Sequence, residues 1–230
     1  MITLRLTLIV LVFPLLLTAQ KSKEVGGFIG ISQYQGDLAP SPIAASETNL
    51  AISGIYRYFF NSKFAIKGSV SWAQISGSDR NKENFVLGDR DWSMRGSIYE
   101  LALHSEWNIL GTDRYDENGL FTRKYTPFVS IGIGGAFTDK NLMVPPADRG
   151  KIPEPNDIST FFVIPISVGL RLDLTKDFVI TAEFSTRASF SDYLDGVSIN
   201  GNRDTNDWYF FAGIGLVYVL EDLIGAKGGN

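Results

Sequence analysis

The sequence contains no cysteine and only one histidine among its 230 residues. Without thiols there is no disulfide framework, no thiolate metal site and no cysteine to acylate behind a leader, so a lipoprotein is excluded. No charge of one sign dominates: 21 basic and 25 acidic residues leave a net charge of −4. Those charges are scattered, which argues against nucleic acid as a partner and supplies no polybasic stretch for anionic lipid. Beyond residue 20 no apolar run approaches the ~20 residues of a membrane-spanning helix. Any insertion into a membrane must therefore be by strands.

What is present begins with a leader. Arg5 precedes an apolar run from Leu6 to Leu17, and Leu17-Thr18-Ala19 offers acceptable residues at the −3 and −1 sites of a signal peptidase. The run is too short to anchor as a helix. The expected division is a signal peptide over 1–19 and one barrel domain over 20–230 that ends in a short polar tail.

In the mature chain, apolar residues recur with a period of two. Eight alternating segments can be drawn, at 24–34, 50–60, 63–75, 96–110, 124–138, 160–174, 177–190 and 207–220. Each exceeds the ~5 or 6 residues of an ordinary strand and reaches the ~9 to 11 that a tilted strand needs to cross a bilayer. In the third, Phe64, Ile66, Gly68, Val70 and Trp72 oppose Lys67, Ser69 and Ser71; in the sixth, Phe162, Ile164, Ile166, Val168, Leu170 and Leu172 oppose Ser167, Arg171 and Asp173.

Alternation alone does not say which face is inside, because a soluble barrel and a membrane barrel share the period with opposite polarity. Three features point to the membrane form. The polar faces mix charges with glycines such as Gly26, Gly30, Gly132, Gly134, Gly213 and Gly215, as the narrow interior of an eight-stranded barrel requires. Short links near 61–62, 111–123 and 175–176 alternate with long ones at 35–49, 76–95, 139–159 and 191–206, matching short periplasmic turns and longer outer loops. Aromatics gather at strand ends, Phe60, Phe64, Trp107, Tyr125, Phe178 and Tyr218 toward the short links and Tyr34, Trp72, Tyr99, Phe162, Phe190 and Trp208 toward the long ones, as two interfacial girdles would. The expected fold is all-β: an antiparallel up-and-down transmembrane β-barrel of about eight strands, with the first and last segments paired, in the cell outer membrane with lipid as its surroundings.

In this register the charges Glu24, Arg57, Lys67, Glu100, Glu106, Arg171, Asp173, Glu183 and Arg187 face the lumen. Buried charges persist when they are paired, so the expectation is a salt-bridge network that also takes in His104, hydrogen-bonded to a carboxylate. Ser105 should face lipid, so a Ser–His pair for hydrolysis could arise only across strands. Gly132-Ile133-Gly134-Gly135 lies inside a strand, which excludes a phosphate loop. The oxygen-rich stretch Asn200 to Asp207 lacks the glycine and glutamate of a calcium loop and reads as a hydrophilic surface loop. Pro145, Pro146, Pro153 and Pro155 stiffen the loop from Lys140 to Asp157 toward extended conformations. No catalytic residue, metal site or cofactor is expected.

Several stretches carry a resemblance: Val25-Gly26-Gly27-Phe28-Ile29-Gly30 leading to Tyr34 and Gly36-Asp37-Leu38, Tyr56-Arg57-Tyr58-Phe59, Pro127-Phe128-Val129, and Ser191-Asp192-Tyr193-Leu194-Asp195-Gly196-Val197-Ser198. Together they resemble the PorG-like family of outer-membrane β-barrels over nearly the whole mature chain. The resemblance marks Gly36, Asp37, Asp192, Tyr193, Leu194 and Asp195 as a motif-bearing loop set. It implies a non-enzymatic part in a type IX protein-secretion assembly, beside periplasmic ring proteins built from a lipoprotein and its partner. The alternative from the residues themselves is a stand-alone surface binding or adhesion barrel that uses its long loops. The last segment, Trp208 to Leu220, also resembles the C-terminal strand that barrel-assembly machinery recognises, though here a tail follows it.

If the leader is read correctly, the N-terminus of the protein purified from outer membranes begins at Gln20, which intact-mass spectrometry and N-terminal sequencing will show; retention of residues 1–19 would refute the division.

Overall fold

The computed structural model describes residues 22–35, 48–78, 93–143, 146, 159–189 and 208–222. These form β1 (Ser22–Gln35), β2 (Asn49–Phe59), β3 (Phe64–Ser78), β4 (Ser93–Asn108), β5 (Tyr125–Met143), β6 (Ser159–Asp173), β7 (Phe178–Ser189) and β8 (Trp208–Asp222). The strands close into one barrel in sequence order, and each neighbour, including β1 against β8, pairs antiparallel. Closure satisfies every wall strand on both sides, as a lipid environment demands.

The period of two sorts the side chains. On β4, Ile98, Glu100, Ala102, His104 and Glu106 are buried inside, while Tyr99, Leu101, Leu103 and Trp107 are 40 to 66% exposed on the outside. The barrel is thus inverted relative to a soluble protein: its broad exposed surface is aliphatic and aromatic, and its lumen holds most of the buried charge. Such a surface is stable only in a bilayer.

Three strands run at least three residues further at one end than their alternation indicated. β3 continues to Ser78, β4 begins at Ser93 and β5 continues to Met143, paired through Ser78↔Ser93 and Ser93↔Met143. Past Phe137 the outward residues become Asp139 and Asn141, so the apolar signal ends where the strand leaves the bilayer although its pairing goes on.

The structure makes two corrections to the expected faces. Tyr34 is not part of the outer girdle: it is 2% exposed, because it shares the inward parity of Glu24, Gly26 and Gly30. The lumen is also not filled by charges and small residues alone. Toward the long-loop end Tyr34, Ile75, Met94, Ile98, Phe161, Val163, Tyr209 and Phe211 form an apolar cluster. Phe190 lies outside the described residues.

The closing seam is tightest where Gly30 pairs with Gly213. A Cβ on Gly30 would meet the Ala212 carbonyl at 2.2 Å, and one on Gly213 the Ile29 carbonyl at 2.3 Å. Alanine at either position should weaken closure and lower the temperature at which the heat-modifiable gel mobility is lost. Gly135→Ala, with nothing within 4 Å of its added carbon, should leave that temperature unchanged.

Candidate functional site

The lumen candidates all point inward and assemble in tiers. Nearest the short turns, Glu24 accepts from both nitrogens of Arg171 at 2.6 and 3.0 Å and from Arg57 at 2.9 Å. Arg57 also donates to Glu106 at 3.0 Å, whose other oxygen accepts from Asn108. Above this, Lys67 donates to both oxygens of Glu183 at 2.7 and 2.8 Å. Higher still, Glu100 accepts from Tyr209 at 2.6 Å and from Arg187 at 3.3 Å. Arg187 lies 3.8 Å from the centroid of Phe211 and Arg171 lies 5.1 Å from that of Phe59, so aromatic faces supplement the ion pairs. Each cation thus meets a carboxylate from another strand, which the linear sequence does not reveal.

His104 departs from expectation. Its Nε2 lies 3.2 Å from Ser69 Oγ, with no carboxylate partner among the described residues, and Glu106 on the same face is occupied by Arg57 and Asn108. A serine–histidine pair therefore does arise across strands. Both residues are buried, beside an internal cavity of about 20 Å³. That volume fits about one water, and the pair lies within the packed lumen.

The second assembly was not legible as a unit. The β4–β5 link, residues 109–124, folds across the short-turn end as a strap. Thr112 donates twice to the Ser62 carbonyl, through its backbone at 2.8 Å and its hydroxyl at 3.0 Å. Arg114, 3% exposed, enters the barrel mouth, donates to the Lys176 carbonyl at 3.2 Å and lies 3.6 Å from Asp173. The strap is thereby tied to both other short turns. Beyond Arg114 the chain turns back in a small hairpin: Asp116 Oδ1 accepts from the Asn118 and Leu120 amides, Gly119 takes a φ of 75°, and Tyr115 and Phe121 meet edge to face at 6.3 Å. Leu110 and Leu120 are 61% and 65% exposed, and Asp113, Asp116 and Glu117 are exposed beside them. The Asp-x-Asn-Gly spacing was the available sequence signal.

The motif-bearing residues Gly36, Asp37, Asp192, Tyr193, Leu194 and Asp195, the 200–207 stretch and most of the proline-rich loop lie outside the described residues.

A closed eight-stranded antiparallel barrel with an apolar outside and a paired ionic lumen defines an outer-membrane β-barrel, residing in the outer membrane with short turns toward the periplasm. Residues 3–223 match the family described as a domain of unknown function (DUF6089), and the chain belongs to that family. No curated protein matches. Among solved structures, Neisserial surface protein A aligns with a TM-score of 0.51 at 9% identity, covering 85% of this chain and 96% of that one. The attachment invasion locus protein Ail of Yersinia pestis gives 0.45 at 15% identity over 87% and 99%. The N-terminal barrel of Pseudomonas aeruginosa OprF gives 0.45 at 11% over 88% and 98%. At these identities the first likeness concerns the fold alone.

Glu24→Gln removes the negative charge shared by two buried guanidinium groups and replaces one of its acceptor oxygens with a donating amide. It should lower unfolding stability by about 3–5 kcal/mol, read from urea denaturation in detergent; a loss below about 1 kcal/mol would mean that the tier is not a stability element.

Proposed function

We propose that this barrel is a non-enzymatic component of a type IX protein-secretion assembly, anchoring periplasmic ring partners at the outer membrane through the strap over 111–123. The observation that carries the reading is the strap's construction: Thr112 and Arg114 fix it to two neighbouring turns, yet its tip holds Leu120 exposed among acidic residues. A surface held rigid before binding loses little entropy on docking, and exposed apolar side chains with a charged rim suit a protein partner. The choice of a secretion assembly rests on the sequence resemblance. A non-catalytic role is supported by the Ser69–His104 pair facing a cavity too small for substrate.

Replacing 112–122 with a two-residue Asn-Gly hairpin should abolish co-purification of the ring proteins in mild detergent. The barrel should keep its heat-modifiable mobility, since the wall pairing does not include the strap. Undiminished co-purification from a folded variant would exclude the strap as the docking surface.

A further inference from the structure

The outer wall is not uniformly covered by side chains. Strand register aligns two outward rungs across β2 to β5: Ile52, Trp72, Tyr99 and Phe137, and one step toward the periplasm Gly54, Val70, Leu101 and Gly135. Tyr99 and Phe137 stack at 4.7 Å with planes 11° apart, forming an aromatic shelf with Trp72 beside it. Beneath the shelf, the two glycines leave open space where a Cβ would stand, and a groove of about 580 Å³ runs between the rungs. That volume lies within the roughly 300–1,000 Å³ of small-molecule sites. Spanning four strands at ~4.8 Å spacing, the groove is about 14 Å long.

We propose that this groove binds one acyl chain of an outer-leaflet lipid, lying obliquely across the strands under the shelf. The occupant follows from position. The groove lies on the lipid-facing wall, its rim side chains are apolar, and Trp72 and Tyr99 belong to the girdle on the long-loop side, which sets it in the outer half of the bilayer. Lipid tails are as apolar as leucine, so no hydrophobic gain separates groove from bulk bilayer. Retention comes instead from dispersion contacts on three sides of the chain, where a flat wall offers one. Each contact is small, but a chain threaded along the whole groove sums many of them. The site is independent of the strap and of any secretion role.

The test uses fluorescence quenching in mixed micelles of an eight-carbon-chain detergent and phosphatidylcholine brominated on its acyl chains, so that the competitor for the groove is a chain too short to span it. W92F/W107F/W208F leaves Trp72, at the groove, as sole emitter; W72F/W92F/W107F leaves Trp208, outside it. Trp72 should be half-quenched at a mole fraction of brominated lipid about fivefold lower than Trp208, the gain expected from a modest set of extra contacts. Adding G54L/G135L, which fills both glycine positions, should raise the Trp72 value to that of Trp208. Adding F137A, which removes half of the stacked shelf and leaves the glycines in place, should raise it as well. Equal half-quenching of the two tryptophans, or a Trp72 value unmoved in both folded variants, overturns the proposal.

Discussion

Everything in this barrel depends on a backbone constraint: a peptide group facing hydrocarbon has no water to bond, so each strand must find partners on both sides. The β1–β8 pairing meets that condition and turns a sheet with two edges into a wall with none. It also accounts for the facing glycines at the seam, where Gly30 and Gly213 approach too closely for a side chain on either. Once the wall is closed, the alternation of side chains has only two destinations, lipid and lumen.

The lumen then poses the opposite problem. Charges withdrawn from water are costly unless neutralised and hydrogen-bonded. Glu24 between Arg171 and Arg57, Lys67 on Glu183, and Arg187 with Tyr209 on Glu100 meet that requirement with partners drawn from distant strands. Around the last of these Phe161, Val163 and Phe211 pack into an apolar cluster; toward the short turns, Arg114 brings the strap into the mouth against Asp173. A barrel filled in this way is a rigid support, which suits docking at its ends and leaves little room for transport through its axis.

The two surfaces offered for binding arise from different departures from regularity. At the periplasmic end a link longer than its neighbours has folded back on the mouth and holds Leu120 and its acidic neighbours outward. On the wall, glycines on the lipid side leave a notch under aromatic rings. The inward glycines make room for side chains inside, whereas Gly54 and Gly135 subtract them outside.

The strand count, the antiparallel order, the inside and outside faces and the membrane setting were all legible in the sequence, because a two-residue period is local and the bilayer enforces it along every strand. Lys67, His104 and Arg187 were assigned to the lumen from parity alone. Misreadings occurred where parity was overridden by composition: Tyr34 looks like a girdle aromatic but stands an even number of residues from Glu24, and its face follows from that count. What only the tertiary structure decided is who meets whom. The partnership of Lys67 with Glu183, 116 positions apart, the pairing of His104 with Ser69, the strap's hold on Ser62 and Lys176, and the alignment of Gly54 with Gly135 all depend on barrel register. Register is fixed by closing eight strands together, and no single segment contains it.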